Sequence, residues 1–205
     1  MQIGEKLADD VRYNYMKRFG WGQATGIEMP AESDGILYPP SSWDDRTRYT
    51  TMFGQGVAGT TLQSLQVLAT VANKGEQMTP YLVSRTLDPD LNEVSSTSTK
   101  VARTPIDSAT ASSLSSLMQT AVAEGTGTSA QVSGVQVAGK TGTAETGTDS
   151  GPTTWFVGFA GTDIDKPEIA LAVVLDGNAE TEDGATGGKI AGPVAAQVID
   201  AAVNQ

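Results

Sequence analysis

Leu7, Val11, Tyr15 and Phe19 recur at four-residue spacing with Gly20 as a stop, so the pattern predicts an amphipathic helix over residues 3–19. No capping residue precedes it, and Met1 and Ile3 are apolar, so it reads as a helix entered partway. Residues 20–60 carry little periodicity and many Gly, Pro, Ser and Asp. With Trp21, Ile27, Leu37, Tyr38 and Trp43 among them, they read as a long folded connection rather than a flexible linker. Helical spacing returns at Leu65, Leu68, Ala69 and Ala72, with Thr60 or Thr61 as the cap and Gly75 as the end. After Pro80, Tyr81–Arg85 predicts a short strand, and the polar residues 87–100 an exposed loop or hairpin. Asp107 or Ser108 then opens a third helix, with Leu114, Leu117, Met118, Ala121 and Val122 as its apolar stripe before Gly125.

Beyond this helix the period changes. Val135-Gln136-Val137 alternates, Trp155–Phe159 and Ile169–Leu175 are apolar runs, and turn-rich segments at 146–153 and 161–168 separate them, which predicts three antiparallel strands joined by hairpins. Pro193 falls in the first turn of a last helix with Ala195, Val198, Ile199 and Ala202 on its buried side. The order predicts an α+β fold, an antiparallel sheet flanked by helices, in a single domain at 205 residues. No internal repeat suggests a solenoid.

Composition narrows the chemistry. A formal charge of −11, with no basic patch, argues against nucleic acid and anionic membrane surfaces as partners. The chain has no Cys, which excludes disulfides and thiolate nucleophiles, and no His, which removes the usual base of Ser-His-Asp chemistry. Acid–base work therefore falls to Lys, Tyr or carboxylates. The longest apolar run, Ile169–Leu175, is far short of the roughly 20 residues that span a bilayer. The N-terminus lacks the basic-then-apolar layout of a signal peptide, so any export signal is expected outside these residues. Glu145, Asp149 and Asp176 have no metal-ligand spacing and read as solvated turn carboxylates, so neither metal nor cofactor is expected. Trp155 and Phe156, at the start of a strand, read as core.

Residues 134–141 satisfy the phosphate-loop pattern Gly-x-x-x-x-Gly-Lys-Ser/Thr, and Ile169–Leu175 followed by Asp176 resembles a magnesium-holding strand, so a nucleotide hydrolase is a rival reading. A phosphate loop needs a helix to begin at its Lys-Thr pair. Here Gly142, Gly147, Gly151 and Pro152 follow, at about 1 kcal/mol per Gly and about 3 for Pro in a helix interior. The alternative is an extended strand on which Lys140, Thr141 and Gly142 offer an ammonium, a hydroxyl and a bare backbone together, suited to an anionic peptide that adds itself as a strand.

Lys140-Thr-Gly-Thr-Ala-Glu145, followed by Thr154-Trp-Phe-Val-Gly-Phe-Ala160, resembles the third signature of penicillin-binding proteins, the D,D-transpeptidases of bacterial cell walls. Phe19-Gly-Trp-Gly22, Thr25-Gly-Ile27, Gly54-Gln-Gly56, Thr61-Leu-Gln63, Ala72-Asn-Lys-Gly75, Gly125-Thr-Gly127 and Gly187-Gly188 with Pro193 fall in that family's order, so the resemblance covers nearly the whole chain. The Lys-Thr-Gly-Thr-Ala-Glu form is most similar to the class B branch. It implies that Lys140 supplies positive charge and helps relay protons, and that Thr141 and Thr143 bind the terminal carboxylate of the donor peptide or a β-lactam. It also implies that Gly142 keeps the strand face open and that the Thr143 backbone N–H forms half of an oxyanion hole.

The family also requires a Ser-x-x-Lys and a Ser-x-Asn, and neither occurs here. The residues three before the lysines are Ile3, Asn14, Val71, Thr97, Val137, Asp163 and Thr186, and no Ser has Asn two residues later. Residues 1–205 are therefore expected to be the C-terminal segment of a transpeptidase domain, with the nucleophile upstream and no activity alone. The complete protein is expected at the extracytoplasmic face of the plasma membrane, binding stem peptides and β-lactams. This segment is expected to self-associate through an exposed sheet edge or core. A non-enzymatic module that binds wall peptides or β-lactams is the other reading.

Overall fold

The computed structural model describes residues 4–146, 151–177 and 184–204. The chain enters through a 3-10 turn, Gly4–Lys6, and helix α1, Asp9–Arg18, whose N-cap Ala8 makes no side-chain cap bond. Of the expected stripe, Leu7, Val11 and Tyr15 are exposed and only Phe19 packs against a core. The buried residue of α1 is Arg12, because its guanidinium finds partners in the neighbouring connection. It donates to Leu7 O at 2.8 Å, to Asp9 Oδ1 at 2.6 Å and to Arg48 O at 2.8 Å, and lies 5.6 Å from the Trp43 ring. Hydrogen bonding to the folded connection turned this helix, not its apolar periodicity.

The connection is folded, as expected, and contains a short helix α2, Asp45–Thr50, capped by Asp44. Helix α3, Thr61–Ala72, begins with a reciprocal cap: Gln63 N donates to Thr60 Oγ1 at 3.0 Å and Thr60 N donates to Gln63 Oε1 at 2.8 Å. The Gln63 amide also donates to Gln23 O and Asp34 O at 2.8 and 2.9 Å, so one side chain both starts a helix and pins the preceding loop.

Strand β1, Gln77–Met78, pairs with β4, Val101–Arg103, and between them β2, Arg85–Leu87, pairs with β3, Glu93–Ser96. The strand expected at Tyr81–Arg85 is thus displaced to 85–87. Asp88 sets the hairpin: its carboxylate accepts from Asp90 N and Asn92 N at 2.9 Å each. Helix α4, Ser108–Ala123, is capped by Asp107, which accepts from Thr110 N at 2.7 Å. Of the expected stripe Val122 is fully buried and Leu114 and Met118 pack partly buried against the core, while Leu117 is 67% exposed; Ala111, one turn earlier, is buried as well.

The sheet follows, in the order β5 (Gln136–Ala144), β6 (Thr153–Gly161) and β7 (Ile169–Leu175), antiparallel throughout as expected. Phe156 and Phe159, three apart on β6 and both 0% exposed, point to opposite faces. Phe156 packs with Ala191, Ala195 and Ile199 of helix α5, Ala191–Val203. Phe159 packs with Val71 of α3 and Ala111 of α4. The α+β sandwich therefore has α5 on one face and α3 with the start of α4 on the other. Val198, expected on the buried side of α5, is 42% exposed, because Ala195 and Ile199 take the inward positions. Among the described residues β5 and β7 are the sheet's edges.

Candidate functional site

Lys140, Thr141 and Gly142 lie in the middle of β5, and no helix begins after them. The register fixes where their side chains go. Thr141 is opposite Phe156 and Thr143 opposite Thr154, so both hydroxyls project on the α5 face; Lys140 is opposite Val157 and Gly142 opposite Trp155, on the face of α3 and α4. Phe156 is core, as expected, whereas Trp155 is only half-buried beside Gly142. The Lys140 ammonium is exposed and donates to the carbonyl of Thr141 at 2.6 Å.

Two further segments complete this end of the strand. Residues 126–130, leaving α4 through the 3-10 turn Thr128–Ala130, bring the Thr126 hydroxyl to 2.6 Å from that of Thr141. Residues 184–190 form a strap lying directly on the backbones of β5 and β6. A Cβ on Gly187 would sit 2.3 Å from Trp155 O and 2.4 Å from Gly142 O, so only glycine fits there. From this close approach the Gly187 N–H donates to Thr143 Oγ1 at 3.2 Å. The Ser129 hydroxyl donates to Gly188 O and joins the strap to the loop. Strand, loop and strap thus make one wall with several hydroxyls on the α5 face of the strand and the Lys140 ammonium on its other face.

The expected site residues Lys140, Thr141, Gly142 and Thr143 are contiguous on this wall. Thr126, Ser129 and Gly187 were not singled out as site residues, although Gly125-Thr-Gly127 and Gly187-Gly188 are among the family-like motifs; their bonds to the wall span 15, 59 and 44 residues. Asp176 accepts from the Thr153 hydroxyl at 3.1 Å, and Asp149 lies outside the described residues. The carboxylates held below their ordinary range serve turns and caps elsewhere, Asp107 through the N–H and hydroxyl of Thr110 and Glu168 through those of Thr162.

The fold and this wall define an α+β antiparallel-sheet scaffold with a Lys-Thr-Gly edge strand. The family model described as penicillin binding protein transpeptidase domain matches residues 1–200. Stage V sporulation protein D of Bacillus subtilis is 32% identical over 205 residues, covering 97% of this chain and 31% of its own length. Peptidoglycan D,D-transpeptidase PbpA of Mycobacterium tuberculosis is 40% identical over 212 residues, covering 99% of this chain and 41% of its own. The solved ceftriaxone acyl-enzyme complex of penicillin-binding protein A from M. tuberculosis superposes with a TM-score of 0.82 at 34% identity, covering 98% of this chain and 45% of that one. The chain belongs to the penicillin-binding protein transpeptidase family, in its class B branch. It spans 31–45% of the length of these relatives.

Proposed function

We propose that these residues form the Lys-Thr-Gly wall of a serine acyl-transfer cleft that cross-links peptidoglycan stem peptides, and that the nucleophile comes from sequence outside them. In that reaction a serine hydroxyl attacks the carbonyl of the penultimate D-alanine, the terminal D-alanine leaves, and an amine of a second stem takes the acyl group from the ester. A β-lactam occupies the donor position and stays on the serine.

The observation that carries this reading is the split of β5: two hydroxyls, Thr141 and Thr143, on one face and an exposed ammonium, Lys140, on the other, beside the bare backbone of Gly142. The hydroxyls donate to the terminal carboxylate, the Thr143 N–H to the developing oxyanion, and Lys140 stabilises negative charge and helps move the serine proton to the leaving amine. No Ser stands three residues before a Lys in these 205 residues, so no covalent step is assigned to them alone. Fluorescent penicillin tests this: the polypeptide that carries both this segment and a Ser-x-x-Lys labels covalently, and residues 1–205 alone do not. Covalent labelling of 1–205 overturns the reading. Saturable reversible binding of a D-Ala-D-Ala peptide to 1–205 supports instead a non-enzymatic recognition module.

The complete protein acts at the extracytoplasmic face of the plasma membrane, where its substrate is; among the described residues no helix is long and apolar enough to cross a membrane. The open edge of β7 and the exposed Val194 and Val198 of α5 favour self-association of residues 1–205 expressed alone. Light scattering that reports a monomer at high concentration counts against that.

A further inference from the structure

The bonds holding the wall differ in one respect. Gly187 N–H to Thr143 and Ser129 to the Gly188 carbonyl have fixed directions, because an amide only donates and a carbonyl only accepts. The Thr126 and Thr141 hydroxyls, 2.6 Å apart, can each donate and each accept. Their direction is set by what else binds. A carboxylate only accepts, and Thr141 has one proton, so Thr141 serves a carboxylate only if its oxygen is the acceptor in the pair and Thr126 is the donor.

The companion hydroxyl follows the same logic. Thr143 accepts from the Gly187 N–H behind it, which leaves its proton to point away from the strap. Each of the two hydroxyls on this face is therefore backed by a partner from a segment distant in sequence: a backbone amide for Thr143, a side chain for Thr141. Thr126 is well held for that task. Gly127 N donates to Ala121 O at 3.0 Å, the Gln131 amide donates to Val122 O and Ala123 O at 2.9 and 3.1 Å, and Ala130 is fully buried. The strap closes on it from the other side, since a Cβ on Gly188 would meet Thr126 O at 2.4 Å.

We propose that Thr126 is a positioning residue for carboxylate recognition: its hydroxyl donates to Thr141 Oγ1 and thereby directs the single Thr141 proton at the terminal carboxylate of the donor peptide or β-lactam. This rests on the function proposed above. Thr126 touches no reacting atom; it sets the direction of a proton that Thr141 presents.

The test uses the full-length protein that carries this segment and compares acylation rates with a fluorescent penicillin and with its methyl ester, which has no carboxylate to receive the proton. Thr126→Val lowers acylation by the free acid about tenfold, the equivalent of roughly 1.4 kcal/mol, and leaves the ester reaction unchanged. Thr126→Ser restores the free-acid rate. Thr126→Val combined with Thr141→Val is no slower than Thr141→Val alone, since the two act through one proton. A free-acid rate unaffected by Thr126→Val overturns the proposal, as does an equal loss with acid and ester or an additive double variant. Where the valine variant does not fold, Thr126→Ala is read by the same acid-to-ester ratio. Absence of acylation in the unsubstituted protein removes the proposed function itself, and normal acylation that is indifferent to Thr126 removes only this inference.

Discussion

The sheet with α5 and the first sixty residues are built on different principles. In the sheet, β6 pairs with both neighbours in unbroken register and places Phe156 and Phe159 at 0% exposure between layers. In the first sixty residues Leu7, Val11, Tyr15, Ile36, Tyr38 and Phe53 are exposed, and apart from Trp43 the buried side chains are polar: Arg12, Thr25 and Thr51. Order there comes from side chains that reach backbone, as Arg12 does to Arg48 O and as Glu32 does in accepting from Thr25 N at 2.9 Å. One region is held by removing apolar surface from water, the other by satisfying backbone groups that no strand or helix serves. A helical stripe that points outward, like that of α1, is the mark of the second kind.

The largest effect that can break this contrast is at Phe156. Phe156→Ala removes a ring from the layer between β6 and α5, and the expected cost is about 3–5 kcal/mol with global unfolding, read by urea titration. A loss near 1 kcal/mol would mean that the sheet, too, rests chiefly on its hydrogen bonds.

Next in size is Arg12. Arg12→Ala leaves the carbonyls of Leu7 and Arg48 without this donor and leaves Asp9 only its 3.5 Å pair with Arg48, at about 1–3 kcal/mol. The prediction concerns where the loss appears. Hydrogen exchange quickens in α1 and α2 while β6 amides keep their protection, because the two regions meet through few shared core residues beyond Phe19. Equal loss of protection in α1 and β6 would show one cooperative unit and remove the distinction.

The same contrast explains what was legible in the sequence. The caps at Thr60 and Asp107, the alternation along β5 and the apolar runs of β6 and β7 are local signals, and the structure follows them. Lys140, Thr141, Gly142 and Thr143 were legible as a group because they are consecutive. The hairpin at 85–96 was placed by the local turn bonds of Asp88 rather than by the apolar Tyr81, Leu82 and Val83, and periodicity failed again where a distant partner decided orientation, as Arg48 and Trp43 did for α1. The strap fails for the same reason. Nothing near Gly187 in the sequence says that Gly142 lies beneath it, and only the close approach of two backbones reveals it.

The smallest effect sharpens the comparison from the side of pH. Asp107 caps α4 under the sheet, and the N–H and hydroxyl of Thr110 hold its carboxyl below the ordinary range. A folded-state value lower than the unfolded one means that the contribution is fully present above the unfolded value, about 3.9, and is lost as pH falls through the folded value. Glu32 lies in the first region with its carboxyl also lowered. Its burial works against the shift, but the Thr25 hydroxyl and N–H and the Gly26 N–H outweigh it. Both groups therefore weaken the protein in the same acid window, but in different places. Below that window Asp107→Asn matches the unsubstituted protein in α4 exchange and Glu32→Gln matches it around Thr25; above it, each variant is the less stable in its own region. An Asp107→Asn variant that loses protection around Thr25 as much as in α4 would couple the two regions after all, because Asp107 makes its described bonds within α4 alone.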